Sequence, residues 1–416
     1  MIRHHITAAG GYLDEDDVRE FITSGVESLD LAGKRVLVLV PDGTRTMPLP
    51  MIFEQLESAL SSTTAALDFM VALGTHPPMS ELQLSRLFGQ DINDGRIRGS
   101  RIFNHTWNEQ ETLHEIGTIS AEEIGSITEG KMREELRVRV NRRIFDYDHI
   151  LIFGPVFPHE VAGFSGGNKY FFPGISGPDI INLTHWLGAI LTSFAVIGSG
   201  YTPVRAVIDR AASMITLPKS CFSFVLDKKG VLGVFLGTPE AAWEDAAALS
   251  AQCHIHTTGR VYRRVLAVMP EMYDDLWVGG KGMYKLEPVV ADGGELIIYA
   301  PHIDTISHTH GALIKKIGYH VCDYFLKQWN QFKHYPRSVL AHSTHVKGLG
   351  TYHAKTGQED PRITVTLATG VSEDVCRAIN LEFHDPDRIN IADWESAEDE
   401  DLLVVRDAGE QLYRVK

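Results

Sequence analysis

Residues 35–45 have the sequence Arg-Val-Leu-Val-Leu-Val-Pro-Asp-Gly-Thr-Arg. The apolar run at 35–40 has the length of a β-strand buried on both faces, as strands of parallel sheets are, and the Pro-Asp-Gly after it is typical of a turn. Comparable apolar runs at 66–73 and 148–153 alternate with stretches that have the spacing of amphipathic helices. This alternation predicts an α/β fold.

The alternation of strands and helices starts again near residue 257. Strand-like runs at 261–269 and 295–300 are joined by a stretch with helical spacing. We therefore predict two α/β domains, at 1–257 and 258–397. We expect the active site in the cleft between them, because ligand pockets commonly form where two domains meet.

Composition excludes several classes of protein. The 416 residues carry 39 Lys and Arg against 54 Asp and Glu, and this net charge of −15 argues against sequence-independent binding to nucleic acid. No apolar run reaches the roughly 18 residues that a membrane-spanning helix needs. The N-terminal segment lacks the apolar stretch of a secretory signal, and the four cysteines form no CxxC pair. We expect a cytoplasmic enzyme that binds neither nucleic acid nor membranes.

Polar residues follow three of the predicted strands. Asp-Gly-Thr-Arg stands at 42–45, His76 follows the second strand, and His159 follows the third. Because ligands of open α/β sheets bind at the carboxyl ends of the strands, these residues are candidates for one crevice. They would provide a cation for a carboxylate and two imidazoles for proton transfer. The alternative is that each is a capping or loop residue.

A glycine-rich segment at 163–174 surrounds one lysine. It reads Gly-Phe-Ser-Gly-Gly-Asn-Lys-Tyr-Phe-Phe-Pro-Gly and resembles a phosphate cradle, but Tyr170 stands where the P-loop has Ser or Thr. The glycines predict a pocket around the amine of Lys169, which could be a covalent attachment point. A plain surface loop is the alternative. His185, beside Trp186, is a candidate ligand for a soft metal or an ordinary core histidine.

Together these motifs resemble the lactate racemase family, whose members use a nickel-pincer nucleotide. The resemblance extends over about 36–346, and the steps of ten residues from His159 to Lys169 and of sixteen to His185 match the family pattern. The matching motifs are DGTR at 42–45, GTHPPM at 74–79, PHEVAGFSGGNK at 158–169 and HW at 185–186.

The resemblance implies a cofactor and the residues that hold it. The cofactor is a Ni(II)-pyridinium-3,5-bisthiocarboxylate mononucleotide, held covalently at Lys169 as a thioamide, with His185 as the protein ligand to nickel. Enzymes that build this cofactor are implied partners. The residues implied to line the cofactor site are Asp42, Gly43, Thr44 and Arg45.

The implied activity is that of an isomerase, a racemase or epimerase that inverts C2 of a 2-hydroxy acid. Removing the C2 hydrogen as hydride onto the pyridinium avoids a dianionic carbanion beside the carboxylate. The two enantiomers present their hydroxyls in mirror-related positions, so His76 and His159 are implied as paired acid/base residues. Arg45 or Lys281 can clamp the substrate carboxylate.

Two departures from the family pattern concern the substrate. Pro77 replaces an arginine, and Val278 stands where a glutamine is expected. We therefore expect a substrate larger than or different from lactate, such as an aldonate or an aryl-substituted acid. The family architecture also implies that the terminal segment 398–416, with a strand at 402–405, returns to the first domain.

Two other functions stay open from the sequence alone. One is a hydroxy-acid dehydrogenase-like enzyme with no net inversion. The other is a carrier that binds the cofactor or a metal without turnover, and a carrier would need neither His76 nor His159.

Overall fold

The computed structural model describes residues 4–399 and 401–416, which fall into two compact units. The chain passes between the units several times. Two short segments before residue 257 belong to unit 2, and a single predicted boundary at 257 does not account for them. Unit 1 comprises the chain up to Phe157, Ser165–Ile181 and Arg205–Gln252. Unit 2 comprises Pro158–Phe164, Asn182–Val204 and the chain from Cys253 onward.

Unit 1 is built on a mixed sheet of eight strands, counted over the described residues, with an antiparallel strand or pair at each edge. In spatial order they are His4–Thr7, Gly230–Gly237, Lys219–Asp227, His149–Pro155, Arg35–Val40, Ala66–Val71, Ser100–Asn104 and Arg96–Ile97. A separate antiparallel pair consists of Leu113–Ile119 and Leu136–Asn141.

The strand Arg35–Val40 occupies the centre of this sheet. It pairs in parallel with Ala66–Val71 on one side and with His149–Pro155 on the other, and Val36 to Val40 are inaccessible to solvent. The next strand along the chain lies on one side of it and a later strand on the other, so the strand order reverses here. Such a reversal is a topological switch point, where the carboxyl ends of the strands diverge and leave room for a ligand.

Amphipathic helices cover this sheet. Glu15–Glu27 presents Val18, Ile22 and Val26 to the core, and Leu49–Leu60 presents Ile52, Phe53 and Leu56. The α-helices that lie wholly or mainly in unit 1 are Glu15–Glu27, Leu49–Leu60, Glu81–Phe88, Ala121–Ile127, Pro203–Ala212 and Pro239–His254. Its 3₁₀ helices are Gln110–Thr112, Arg142–Asp146 and Gly167–Tyr170.

Unit 2 is built on a second sheet, and its five strands in the described part of the chain are all parallel. In spatial order they are Glu382–Phe383, Thr364–Thr369, Val290–Ala300, Tyr262–Val268 and Leu402–Val405. Short pairs are formed by Pro158–His159 with Gly163–Phe164, Ile255–Thr258 with Leu412–Val415, and Gly350–His353 with Gln358–Pro361.

Two details of unit 2 differ from what the sequence indicates. The strand Leu402–Val405 pairs with Tyr262–Val268 rather than returning to the first domain, because its apolar residues extend the edge of the second sheet. The sequence Asp292-Gly-Gly is typical of a turn, but it lies inside the strand Val290–Ala300, where Gly293 takes a positive φ of 73° next to a shift in strand register. Glycine permits this local distortion without ending the strand.

Short helices connect the strands of unit 2. They are Ser193–Val196, Leu276–Gly279, Lys281–Leu286, Gly311–Ile317, Cys322–Lys327, Trp329–Phe332, Arg337–Lys347, Glu373–Ala378 and Ile391–Ser396, with 3₁₀ helices at Glu287–Val289 and Pro386–Arg388. The helix Pro178–Leu191 starts in unit 1 and continues into unit 2. Across 4–399 and 401–416, no helix has both the length and the apolar character to cross a bilayer. The α/β fold class is confirmed.

Candidate active site

A carboxylate that follows the central strand of unit 1 is hydrogen-bonded to an imidazole. Asp42 lies just beyond the strand Arg35–Val40, and its Oδ2 is 2.5 Å from Nδ1 of His76. The backbone N–H and the hydroxyl of Thr44 donate to the other oxygen, Oδ1, at 3.0 and 2.6 Å. The structure therefore brings together two of the predicted site residues, which come from the ends of adjacent parallel strands.

This pairing keeps Asp42 ionised and places a ring proton of His76 on Nδ1. Burial alone would raise the pKa of Asp42, which is 7% exposed, but His76, Thr44 and the charge of Arg45 outweigh it and lower the pKa below its usual range. The carboxylate is therefore ionised and can only accept hydrogen bonds, so Nδ1 of His76 carries a proton. In the neutral ring, Nε2 then presents a lone pair, as a general base requires.

Lys169 lies on a buried loop at the carboxyl end of the same sheet. Every residue from Ser165 to Ile175 is buried except Lys169, which is half-buried in the 3₁₀ helix Gly167–Tyr170. A surface loop would expose more of its residues, so the alternative of a plain surface loop is wrong. The segment is therefore held inside the protein, and Lys169 is its most exposed residue.

The glycines of this loop serve close packing. A Cβ on Gly166 would lie 2.7 Å from Cγ2 of Val156, and one on Gly167 would lie 2.8 Å from Cβ of Trp243. Both glycines have positive φ angles, of 84° and 59°. They are therefore explained by contact with protein atoms, and the likeness to a phosphate cradle is not needed to account for them.

Side chains beneath the loop hold it in place. The Nδ2 of Asn168 donates to Oδ1 of Asp209 at 3.0 Å and to Oε1 of Glu240 at 2.6 Å. The buried guanidinium of Arg205 donates to the carbonyl of Gly166 at 3.1 Å. Sequence reasoning missed these supports, because they come from two helices far along the chain and no local pattern connects them with the loop.

Tyr170 is fitted against the strand that precedes the loop. Its ring packs on Gly154, where an added Cβ would lie 1.8 Å from the phenol oxygen. Burial raises the pKa of Tyr170 well above its usual value, and the charges of Arg45 and Asp42 also act on it. The phenol thus stays protonated and near the residues that follow the central strand.

In unit 2, His159 is buried in a tight hairpin. The backbone N–H of Val161 donates to its Nδ1 at 3.1 Å, so in the neutral ring the proton lies on Nε2. Oε2 of Glu160 is 3.3 Å from the same Nδ1. His159 and His76 therefore differ: the first is arranged to present an N–H at Nε2, and the second to present a lone pair.

The other two predicted residues of unit 2 are also placed. His185 is half-buried on the helix Pro178–Leu191, while its neighbour Trp186 turns away to stack on Trp329 with ring centroids 5.5 Å apart. Lys281 is buried at the start of the helix Lys281–Leu286, and its Nζ lies 4.4 Å from the ring centroid of Tyr273.

Two histidines that the sequence analysis did not select lie near these residues. His342 is buried on the helix Arg337–Lys347 and is close enough to His185 for that imidazole to act on its pKa. His345, one turn further along the helix, is acted on by the charge of Glu160. A pattern of histidines at i and i+3 on one helix was a signal that could have drawn attention to them.

The residues present fit the implied cofactor. Lys169 is half-buried on an otherwise buried loop and carries the amine that covalent attachment requires, and His185 is half-buried on a largely apolar helix. Imidazole is a suitable ligand for nickel. Within the described residues, no group of three or more His, Cys, Asp or Glu side chains is arranged to hold a metal ion by itself.

Both units are α/β structures, and unit 1 carries a carboxylate–imidazole pair at the carboxyl ends of its parallel strands, where ligands of open α/β sheets bind. Residues 20–196 match the family model described as the lactate racemase N-terminal domain. The chain therefore contains the N-terminal domain of the lactate racemase family at these residues.

Similar proteins extend this comparison. A lactate racemase of Thermoanaerobacterium thermosaccharolyticum is 23% identical over 290 residues, 68% of this chain and 63% of its own length. One from Lactiplantibacillus plantarum is 24% identical over 268 residues, 63% of this chain and 55% of its own length. The chain thus spans less than two thirds of these curated relatives.

Two solved structures match nearly the whole chain. A protein from Thermotoga maritima is 34% identical, with a TM-score of 0.90 over 98% of this chain and 99% of its own. The lactate racemase apoprotein from T. thermosaccharolyticum is 18% identical, with a TM-score of 0.72 over 97% of this chain and 93% of its own. At that identity the second match shows a shared fold.

Proposed function

We propose that this protein is an isomerase, a racemase or epimerase that inverts C2 of a 2-hydroxy acid. The observation that carries the proposal is the pair formed by Asp42 and His76, in which an ionised carboxylate leaves Nε2 of the imidazole available as a base. The match to the lactate racemase N-terminal domain supports the proposal, and the two curated relatives are both named lactate racemase.

Lys169 and His185 are the residues that would hold the nickel-pincer nucleotide, the first through its amine and the second through its imidazole. Asp42, Gly43, Thr44 and Arg45 would line the same site. When bound, this group supplies a carbon that takes a hydride from C2 and returns it. Enzymes that build the cofactor are then required partners.

His76 accepts the hydroxyl proton of one enantiomer at Nε2. Asp42 stabilises the resulting imidazolium through the 2.5 Å contact at Nδ1. The carbonyl formed at C2 receives its proton from His159 when the other enantiomer is made. To give up that proton, His159 must first be protonated on both nitrogens, and its Nδ1–H would then exchange the hydrogen bond from Val161 for one to the carboxylate of Glu160, 3.3 Å away.

Arg45 or Lys281 is proposed as the cation that clamps the substrate carboxylate. A clamp of this kind fixes the reacting carbon and lowers the entropic part of the barrier. The buried side chain of Val278 offers no hydrogen bond where the family pattern has an amide, and Pro77 is exposed and removes a cation next to His76. The substrate is therefore proposed to be larger than or different from lactate.

The cytoplasm is the proposed location. All four cysteines are free thiols, Cys221 and Cys376 buried and the other two partly buried. Free thiols are the usual state of cysteines in a reducing compartment.

The proposed function is tested with protein produced together with the cofactor-building enzymes and incubated with single enantiomers of a panel of 2-hydroxy acids. Chiral chromatography should show the opposite configuration at C2, and His76→Asn and His159→Asn should each abolish its appearance. Accumulation of a 2-oxo acid without inversion would instead indicate a dehydrogenase-like enzyme. Loaded protein that changes none of the panel would indicate a carrier.

A further inference from the structure

Unit 2 contains a cluster of polar rings, all buried except the half-buried Trp277, which we call the Trp277 cluster. Trp277 follows the strand Tyr262–Val268, and its backbone N–H donates to the carbonyl of Ile306, in the segment after the strand Val290–Ala300. The cluster therefore lies at the carboxyl ends of the parallel strands, where ligands of α/β sheets bind. Its members are Trp277, His310, Tyr319, His342 and His345.

The rings of the cluster hold one another in fixed positions. The imidazole of His342 stacks on Trp277 with ring centroids 3.9 Å apart, and that of His310 lies 4.7 Å from the same indole. The hydroxyl of Tyr319 is 3.3 Å from Nε2 of His342. Two imidazoles therefore already lie against the indole of Trp277. Less of the indole surface is left to stack with an aryl group of a ligand.

His345 adds a hydrogen-bonding atom whose partner is missing. It is 4% exposed, and its Nε2 contacts no donor or acceptor among the described residues. A buried polar atom left in this state is costly, and natural proteins commonly satisfy such an atom through a ligand or an ordered water. A ligand hydroxyl, which both donates and accepts, would suit either tautomer of the ring.

The cluster lies beside residues that the proposed function uses. His342 is near His185, and His345 is near Glu160, the residue that follows His159. Burial lowers the pKa of His345 to about 4, so at neutral pH this ring carries no charge that would attract a second carboxylate. The cluster therefore offers neutral donors and acceptors next to the reacting end of the substrate.

Building on the proposed function, we propose that the Trp277 cluster binds hydroxyl groups on the carbons beyond C2, so that the substrate class is a polyhydroxylated 2-hydroxy acid of the aldonate type. An aryl-substituted acid would need an uncovered aromatic face, and a dicarboxylate would need a cation in place of His345. A hydroxyl-bearing chain satisfies the buried nitrogen of His345 and uses the imidazoles as they stand.

The test compares loaded wild-type protein with His345→Phe, which keeps the ring volume and removes the nitrogens, and His345→Gln, which keeps a donor and an acceptor. The matched control is His353→Gln, at an exposed position at the end of the strand Gly350–His353. The probes are D-gluconate, lactate, phenyllactate and malate. Each variant is also examined without cofactor, by the shift in melting temperature that D-gluconate or lactate produces.

We expect kcat/KM for D-gluconate to exceed that for the other probes by at least about tenfold, since a site built to bind hydroxyls discriminates strongly against ligands that lack them. His345→Phe should lower kcat/KM for D-gluconate by about tenfold or more and that for lactate by less than about threefold, while His345→Gln restores part of the loss. His353→Gln should match wild type.

Equal losses for D-gluconate and lactate in His345→Phe would show that the residue is merely structural and would overturn the inference. Preference for phenyllactate or malate would overturn it while leaving the proposed function intact. If loaded protein inverts no probe but D-gluconate alone raises the melting temperature, and His345→Phe removes that shift, the hydroxyl site stands and the proposed function fails. Neither inversion nor a shift would overturn both.

Discussion

Replacing Asp42 with asparagine changes one atom of the carboxylate that orients the proposed base, His76, and should remove most of the activity. Thr44 donates two hydrogen bonds to Oδ1 of Asp42, so the oxygen of an introduced amide will be held there. The amide nitrogen then faces Nδ1 of His76 across the 2.5 Å contact and donates to it. His76 must therefore carry its proton on Nε2, where the substrate hydroxyl needs a lone pair.

The magnitude follows from these contacts. A hydrogen bond to a charged group contributes about 1.5–3 kcal/mol, so its loss alone lowers kcat by about 10- to 150-fold. Complete loss of general base catalysis would lower kcat further, by about 10²–10⁴-fold. We expect the rate of inversion by the loaded Asp42→Asn variant to fall within these limits.

The assay is chiral chromatography of product formed by loaded wild type, Asp42→Asn and Asp148→Asn, with cofactor content measured by mass. Asp148 pairs with the exposed Arg35 and has its pKa lowered to about 2 by that guanidinium, but it takes no part in the site. Asp148→Asn should keep its activity within about twofold of wild type, a margin we set for the assay. An Asp42→Asn rate within threefold of wild type, at equal cofactor content, would refute the assignment of His76 as a base oriented by Asp42.

Further predictions concern the cofactor and the fold. Protein produced with the cofactor-building enzymes should show a nucleotide-sized mass adduct that Lys169→Ala lacks, and an adduct that survives the substitution would contradict the attachment site. His185→Ala should lose nickel by elemental analysis and keep the adduct, whereas undiminished nickel would exclude His185 as the ligand. Gly154→Ala should lower the free energy of unfolding by about 1–3 kcal/mol in urea, because the new Cβ overlaps Tyr170. Burial lowers the pKa of His105 to about 4 from an unfolded value near 6.5, so the unfolded state binds more protons between these values and the protein should lose stability as pH falls through that window. His105→Gln should flatten that part of the stability curve, and an unchanged curve would exclude His105 as its source.

The sequence predicted those features that depend on local pattern. The apolar run at 35–40 became the buried central strand, and the polar residues at its end became part of the site because strand ends in a parallel sheet meet at one edge. The glycines around Lys169 marked a special loop, although their purpose is close packing against Val156 and Trp243.

Features that depend on long-range pairing could not be predicted in this way. The strand Leu402–Val405 carries no signal for which sheet it joins, since any exposed edge accepts an apolar strand. The neighbourhood of His342 is assembled by segments from different parts of unit 2, and a histidine inside a helix reads locally as an ordinary residue. The hydrogen bonds from Asn168 to Asp209 and Glu240 could not be predicted for the same reason.

The most direct measurement uses a single enantiomer of a 2-hydroxy acid that carries deuterium at C2, incubated in ordinary water with the loaded protein. If hydride leaves C2 and returns to it while His76 and His159 handle only the hydroxyl proton, the inverted product retains the deuterium. Product that has exchanged its deuterium for hydrogen from water would contradict this mechanism and indicate direct proton abstraction at C2. Absence of inverted product from fully loaded protein would contradict the proposed function itself.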